Sequence, residues 1–575
     1  MKTLLTSYQA HKKALLLLFG TWGVFFFVLF IRIIEFKPDG LHAGHVNVWS
    51  DWSLHIGMAS IFAYKDPQYW FAYHPMYAGG KLTYAFLTNF ISGMLMRAGF
   101  SIYFAFIVPS IIYIILLLMG MYILFYLILQ SEKQALTAIS CFFLSSGLGF
   151  IKFFRDILNG YGPKRLLYPD PAMDYSRLEG YQWYTGNFIV GMLIPQRSLL
   201  LGMAISIWAI AGLVYVLFKE RSGKKKDRII LVISGVLVGL LPIAHTHSLI
   251  VVFLISAPLC AICFKRWREL LYYVIPASVL SITLYFIFIA GGIENPNFIQ
   301  WLPGWTATGG LWRWIAMWLK IWGIMLPIAI FGFFLLRKQS LLIKSFFFSF
   351  FLVFLVANLW QFQPSPWDNS KLFLWAYFGF SGLAAVAISW GWRKAGKNIS
   401  RFDVVLIVVA LTFTGFLELI RLQSIERNQP QMTSWDDIHL GIEIRKKTHP
   451  LAVFLTAPSH NHFVMMWGVR PILLGDLGWV RNYGFLSEQR EKDVTVMFQG
   501  GTDAEILLEQ YKVSYVVIGP SELHDLQANE SYYAQKYKMA FQNQHYRVYD
   551  VRSLWALKQR DTAHDLGQPV PWSSR

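Results

Sequence analysis

An acidic residue and a histidine share one turn of a predicted helix shortly after the first apolar segment. In VWSDWSLHIG (48–57), Asp51 precedes His55 by four residues. Residues four apart lie on the same side of an α-helix, so both side chains can point at one spot. Trp49 and Trp52 flank the acid, and tryptophan favours the zone between acyl chains and water. The stretch indicates either an interfacial helix that faces water or an acid held at a membrane surface for chemistry.

The composition identifies the chain as a polytopic membrane protein. Its 575 residues are 55% hydrophobic and 17% aromatic but only 15% charged, whereas a soluble protein carries about 25% charged residues. The net charge of +18 is typical of cytoplasmic loops and of contacts with anionic membrane lipid, so we expect no nucleic-acid partner. The cysteines lie in apolar segments and predict packing residues rather than disulfides: Cys141, Cys260 and Cys263.

Apolar segments of about 20 residues predict membrane-spanning helices. The sequence contains eleven of them, near 14–34, 102–129, 135–151, 187–218, 229–246, 248–264, 270–290, 314–336, 341–360, 372–390 and 402–420. The basic stretches can all be cytoplasmic only if residues 35–100 stay outside, with 83–100 interfacial or re-entrant. The N-terminus is then cytoplasmic and belongs to an uncleaved first span, and a second loop, 152–186, also faces outward.

The chain changes character after the last predicted span. LAVFLTAP (451–458) and VSYVVIGP (513–520) predict short buried strands, DAEILLEQYKV (503–513) predicts a helix, and HYRVYDV (545–551) predicts a further strand. We therefore expect a multi-span membrane domain at 1–420, followed by an extracytoplasmic α/β domain at 421–575.

Other ionisable residues collect on the predicted outer side, and ionisable groups at membrane depth are costly enough to suggest function. His74, in YHPMYAGG (73–80), either binds a substrate or hydrogen-bonds its own turn. Arg197 either pairs with a phosphate or snorkels at a helix end. His245 and His247 diverge by about 200° on a regular helix, so we expect only one of them to face a cavity.

Two acidic stretches allow either ion pairing or ligand binding. Asp368 and Lys371 are three residues apart and either pair with each other or leave the lysine free to meet a phosphate. The second loop contains three carboxylates for a divalent cation such as Mg²⁺ or Mn²⁺, although a solvated turn explains the last two equally well: Asp156, Asp170 and Asp174. No phosphate-binding Gly-rich loop occurs, so we expect the energy for any reaction to come from an activated substrate that arrives through the membrane.

The arrangement resembles the GT-C glycosyltransferases, an integral-membrane class that includes oligosaccharyltransferases, protein mannosyltransferases and the aminoarabinose transferase of lipid A. The resemblance rests on Asp51 in a first outer loop, on YHPMY (73–77), which is similar to the HisProPro turn of bacterial members, and on LLEQYKVSYVVIGPSE (507–522) in the tail. Met76 departs from that turn. The resemblance implies a polyprenyl-phosphate sugar donor, a catalytic carboxylate at Asp51 and a bacterial inner membrane.

We therefore expect transfer of a sugar from a lipid-linked donor to a glycan, lipid or protein acceptor at the outer membrane face. Asp51 and His55 are the predicted catalytic residues, and six more are predicted to bind substrate: His74, Arg197, His245, His247, Asp368 and Lys371. The tryptophans between 301 and 318 either stack on sugars or form an interfacial belt. The alternatives are a transporter or flippase, which would place charged residues in the middle of several spans, and a scaffold that presents the tail.

Overall fold

The structure, a computed structural model, describes residues 11–166, 174–177, 186–219, 225–396, 400–422 and 429–555. Helices make up most of the part before residue 422, and short strands join them in the part after it, here called the tail. One hydrophobic core cluster extends from Ala14 to Val551, so the two parts are packed against each other.

The membrane part is a series of helices interrupted by two short pairs of strands. Up to residue 166 its elements are α1 (His11–Ile31), β1 (Ile34–Lys37), β2 (Gly40–Ala43), α2 (Val46–Tyr64), α3 (Leu87–Arg97), α4 (Ile102–Leu129), α5 (Glu132–Phe143) and α6 (Gly149–Leu158). They continue with α7 (Arg197–Leu217), α8 (Lys225–Ala244), α9 (Thr246–Ile262), α10 (Phe264–Ile289), β3 (Gln300–Trp301), α11 (Leu311–Trp322), α12 (Met325–Lys338), α13 (Leu341–Leu359), β4 (Trp360–Gln361), α14 (Pro366–Lys394) and α15 (Arg401–Arg421).

Eight helices of the described ranges are long and apolar enough to cross a membrane: α1, α4, α7, α8, α10, α13, α14 and α15. The α11 and α12 helices meet at 86° and add a ninth candidate as one broken span, while α9 is a shorter apolar helix. The chain is an integral membrane protein. The predicted span 135–151 is divided between α5 and α6, and neither qualifies, so the total of eleven stays a prediction. The α3 helix, within 83–100, has 11 residues, about half the length that spanning needs.

The α14 helix lies at the centre of the membrane part, and its side chains from Asp368 to Ala387 are buried. It begins at Pro366, whose fixed φ suits the first helical position and whose missing N–H costs no helical hydrogen bond there. Asp368 lies in the first turn, where a negative charge interacts favourably with the helix dipole. Lys371 follows one turn later, so the two residues share one side of the helix.

The tail folds as the predicted α/β domain. Its elements are β5 (Gln431–Ser434), α16 (Trp435–Lys447), β6 (Val453–Leu455), α17 (Phe463–Met466), α18 (Leu477–Asn482), α19 (Glu488–Gln499), α20 (Thr502–Gln510), β7 (Val513–Ile518), α21 (Pro520–His524), α22 (Glu530–Lys536), β8 (Lys538–Gln542) and β9 (Arg547–Asp550). A four-stranded sheet has the order β6-β7-β9-β8, in which only β6 and β7 are parallel. The three predicted strands are present, whereas β8 was not predicted.

Backbone pairing joins the tail to the loop that follows α1. Strand β5 pairs with β2, which also pairs with β1, so the tail completes a three-stranded sheet with the first hairpin. The YHPMY turn makes a second junction: the carbonyl of Met76 accepts the N–H of Gly475 at 2.7 Å, and that of Pro75 accepts the N–H of Ile472 at 3.0 Å. The α2 helix, which carries Asp51, lies between these two junctions in the sequence.

Gly40 allows the first junction to form. Its φ is +144°, and a Cβ at this position would lie 2.1 Å from the carbonyl oxygen of Thr433 in β5. We expect Gly40→Ala to separate β2 from β5 and to lower the free energy of unfolding by more than about 1 kcal/mol. Thermal unfolding of the detergent-solubilised protein and proteolysis of the tail measure this. Gly99→Ala is the control, because Gly99 also has a positive φ (+95°) but meets nothing within 4 Å; equal losses would contradict the explanation.

Candidate active site

A cavity of about 200 Å³ lies where α2, the start of α14 and the tail meet. Asp51 lines it from α2, Gln196 from the residue before α7, and Trp367 and Asp368 from the first turn of α14. The tail provides the remaining wall: His460, Asp476, Gly478, Trp479 and Asn482. The acid singled out by the sequence therefore borders a hollow that the membrane part and the tail form together.

A buried ion pair lies at the wall of this cavity. The ammonium of Lys371 is 2.5 Å from Asp368 Oδ1, and both side chains are about nine-tenths buried. Asn482 Nδ2 donates a hydrogen bond to the other oxygen, Asp368 Oδ2, and Asn482 Oδ1 accepts the N–H of Ser365 at 3.1 Å. The predicted pairing of Asp368 with Lys371 is confirmed, and the tail holds the carboxylate of that pair in place.

The electrostatic environment weakens the acidity of Asp51. Burial and, after it, the negative charge of Asp368 raise the pKa of Asp51 to about 7. The charge of Lys371 and the hydroxyl of Ser50, which donates to Asp51 Oδ1 at 3.3 Å, oppose this shift. A carboxylate whose pKa lies near neutral pH combines a useful ionised fraction with real basicity, as a general base requires.

His460 of the tail lines the same cavity as Asp51, and no local sequence signal singled it out. Its Nδ1 lies 3.3 Å from Asp476 Oδ2, and its ring centroid is 5.6 Å from that of Trp49. Asp476 also accepts the N–H of Trp479 at 2.9 Å and so caps α18. An aspartate directly before a short helix is an N-cap signal. This signal does not indicate that Asp476 also lies beside His460.

His245 and His247 are buried within electrostatic reach of Lys371. The positive charge of Lys371 acts on both imidazoles, and their ring centroids are 5.6 Å apart. His245 Nδ1 accepts the N–H of Ser248 at 3.3 Å and caps α9. Neither histidine lines the Asp51 cavity, and within the described residues neither Nε2 has a hydrogen-bond partner. Their predicted substrate contact stays a prediction.

His55 and His74 are buried near the cavity but are not among its lining residues. His55 Nδ1 lies 3.0 Å from Asn89 Oδ1. His74 Nδ1 accepts the N–H of Met76 at 3.3 Å, and its ring packs 4.6 Å from that of Tyr483. Burial lowers the pKa of each histidine to about 3, so both are neutral at physiological pH. The structure thus shows the turn contact that the sequence offered as the alternative for His74.

Arg197 is fully buried instead of snorkelling. Its guanidinium donates to Ser92 Oγ at 2.7 Å and to Ser110 Oγ at 3.2 Å, and its Cζ lies 4.2 Å from the ring centroid of Phe106 and 5.5 Å from that of Trp52. The residue has no exposed surface and does not line the Asp51 cavity. Contact with a phosphate therefore stays a prediction, and it would require these side chains to move.

The carboxylates of the predicted metal site have other partners. Asp156 accepts the hydroxyl of Tyr175 at 2.8 Å, and Asp174 lies 3.6 Å from Arg421 and accepts the N–H of Ser176 at 2.9 Å. Asp170 lies outside the described residues. Among the residues that the structure describes, no three His, Cys, Asp or Glu side chains are grouped to hold a metal ion. The metal site stays a prediction.

The tryptophans do not form one belt. Trp52 has no exposed surface, and its indole N–H donates to the carbonyl of Pro195 at 3.0 Å. Trp305 and Trp318 are 2% exposed and belong to the hydrophobic core. The interfacial interpretation is wrong for these three, because their rings fill space between helices. Trp312, which is 81% exposed, still fits it.

Sequence comparison finds no relative: no family model and no curated protein match the chain. Solved structures with a similar architecture are found by structural comparison. ArnT from Cupriavidus metallidurans bound to undecaprenyl phosphate superposes with a TM-score of 0.51 at 10% identity, over 94% of this chain and 98% of ArnT. The apo state of the same protein gives 0.50 at 10% identity, over 95% and 99%. Oligosaccharyltransferase AglB from Archaeoglobus fulgidus gives 0.48 at 10% identity, over 88% and 69%.

The chain has the GT-C fold. This confirms the predicted fold class, a polytopic helical membrane part with a C-terminal α/β domain. At 10% identity the likeness carries no residue roles, so the site rests on its own geometry.

The ion pair has a measurable signature. We expect Lys371→Gln to lower the free energy of unfolding by about 3 kcal/mol, because it leaves the buried carboxylate of Asp368 without its cation. The double variant Asp368→Asn/Lys371→Gln should recover part of that loss, because no unpaired charge remains. Thermal unfolding of the two purified variants and the wild type measures the difference. A double variant that unfolds below the single one would contradict the assignment.

Proposed function

We propose that the protein is a glycosyltransferase that moves a sugar from a polyprenyl-phosphate donor to an acceptor hydroxyl at the outer face of the membrane. The single observation that carries this proposal is that Asp51, an acid with a pKa of about 7, lines a cavity beside the Asp368–Lys371 ion pair. The GT-C fold supports it, since ArnT, which shares that fold, was solved with undecaprenyl phosphate bound.

Asp51 acts as the general base. As the acceptor oxygen forms a bond to the anomeric carbon, its proton passes to the Asp51 carboxylate. The bond between the anomeric carbon and the phosphate oxygen breaks, and its electron pair remains on the leaving phosphate. One base is sufficient for this direct displacement, so the configuration at the anomeric carbon inverts.

Lys371 stabilises the negative charge that develops on the leaving phosphate. An ammonium has three N–H donors, so a lysine paired with Asp368 can also donate to phosphate oxygens. Lys371 is not itself a lining residue of the cavity but is paired with Asp368, which is. Asp368 keeps the site close to neutral before the donor enters. Since Asp51, Asp368 and His460 line one cavity rather than a path through the spans, we favour transfer over transport.

The catalytic role of Asp51 is tested by Asp51→Asn. We expect this variant to insert and purify normally but to lose at least about 100-fold in the rate of sugar transfer from a lipid-linked donor, because it lacks the base. Asp66→Asn is the matched control, since Asp66 belongs to the same loop, is exposed and caps no helix with its side chain. Undiminished transfer by Asp51→Asn would reject the assignment.

The charge of Asp368 predicts a pH effect. Only ionised Asp51 accepts a proton, so kcat/KM should rise with pH and be half-maximal near the pKa of Asp51, about 7. Asp368 raises this pKa, and we therefore expect Asp368→Asn to move the acidic limb to lower pH by roughly 1 unit. Transfer assays across pH with wild type, Asp368→Asn and Asp66→Asn measure the shift, and a limb that stays in place or moves upward contradicts the proposed electrostatics.

A further inference from the structure

The tail contains a second cavity of about 240 Å³, which does not include Asp51. Strand β5, the first turn of α16, the segment after β6 and the start of α21 enclose it. Its volume is below the range of about 300–1,000 Å³ that is typical of sites for drug-sized ligands. The cavity therefore has room for a small unit, such as a single ring, rather than for an extended chain.

The chemistry of this cavity is polar and acidic. Asp437 and Glu522 contribute carboxylates, Asn461 an amide, and Ser459 and Ser521 hydroxyls. No lysine or arginine belongs to the lining that the structure describes, so a phosphate or a carboxylate has no cation to bind there.

His462 is one of the buried polar side chains that line the cavity. The residue is 6% exposed, and its Nε2 lies 3.6 Å from Glu522 Oε1, an electrostatic contact that is longer than a hydrogen bond. Within the described residues this buried Nε2 has no hydrogen-bond partner, although burial without a partner is costly. Glu522 itself is held in place by the N–H groups of Ala457 at 2.8 Å and Gly519 at 3.0 Å. A hydroxyl placed in the cavity would give the imidazole its missing partner.

Carboxylates, an amide and hydroxyls around one small space fit the vicinal hydroxyls of a sugar ring, which both donate and accept hydrogen bonds. The ring of Tyr546 also lines the cavity and is fixed 4.8 Å from that of Phe463, so it offers a rigid apolar surface to the C–H face of such a ring. The excess of acids favours an amino group on the sugar and disfavours an acidic one.

One short segment separates the two cavities. In APSHNHF (457–463), His460 lines the Asp51 cavity, whereas its neighbours Ser459, Asn461 and His462 line the second cavity. Asn461 also donates to the carbonyl of Met432 at 2.7 Å, which ties the segment to β5. The second cavity and the Asp51 cavity thus share this segment as part of their walls.

We propose that this second cavity binds a hydroxyl-bearing sugar unit without an acidic group, and that the unit belongs to a saccharide acceptor. The second part rests on the proposed transferase function, whereas the binding itself does not. The acceptor is then a glycan, and Asp437 and His462 contribute to the choice of its sugar.

The test is direct binding of D-glucosamine to the purified full chain in detergent, with D-glucuronic acid as the comparison sugar. We expect saturable binding of glucosamine in the millimolar range and none of glucuronic acid. Asp437→Asn should weaken glucosamine binding by about tenfold or more, because an ionic hydrogen bond is lost. An asparagine at 437 can still accept the Asn543 amide, which bonds Asp437 Oδ1 at 2.8 Å. Asp436→Asn is the matched control, since it removes the same charge from the same helical turn outside the cavity.

Ser459→Ala is a second variant that should weaken binding, and Ser459 belongs to no helix or strand of the tail. Absence of saturable glucosamine binding, equal binding of glucuronic acid, or equal affinities for Asp437→Asn and Asp436→Asn would each overturn the proposal. Asp51→Asn separates the two proposals: it should bind glucosamine with the wild-type affinity. Wild-type protein that binds glucosamine but transfers no sugar would reject the transferase and keep the sugar site, whereas transfer without binding would do the reverse.

Discussion

The candidate site depends on the buried ion pair between Asp368 and Lys371. Taking each charge out of water costs several kcal/mol, and their attraction offsets this only when the remaining lone pairs and N–H groups also find partners. For Asp368 the second partner is Asn482 of the tail. The carboxylate of Asp368 therefore keeps both of its partners only when the tail is in this position. Burial is the main reason for the raised pKa of Asp51, and the same pair adjusts it further, because Asp368 raises this pKa and Lys371 lowers it.

The spans illustrate how much of the fold could be predicted from the sequence. The α4 helix occupies the predicted 102–129, because a long apolar run without charges forms a helix that satisfies its own backbone in lipid. The predicted 135–151 is also without charged residues yet breaks between α5 and α6. Gly147 lies in that break, where a Cβ would be 1.9 Å from the carbonyl oxygen of Lys320. The break thus accommodates a close approach by α11, a tertiary contact that hydropathy cannot predict.

The site also contains residues that local sequence identifies and residues that only the folded chain brings together. Asp51 was identifiable as an acid next to a span, and the Asp368–Lys371 pair as residues three apart on a helix, because both signals are local. His460, Asp476 and Asn482 come from segments more than 60 residues beyond the end of α14, and only the folded chain brings them to the cavity that Asp51 lines. For Arg197 the local signal was misleading. Its position near a helix end suggested a guanidinium near the surface, but hydroxyls from two other helices hold it in the core.

The tail supplies part of the candidate site. Half of the residues that line the Asp51 cavity belong to the tail. The membrane part alone therefore cannot enclose a space in which a base would meet its substrate away from bulk water. Two backbone junctions, β2 with β5 and the YHPMY turn with residues 472–475, fix the tail on both sides of α2. Apart from Asn482, which hydrogen-bonds Asp368, the side chains of a wall fixed in this way can change without disturbing the ion pair. The segment between the two cavities is therefore the part of the chain in which acceptor preference can change while Asp51 and Lys371 stay in place.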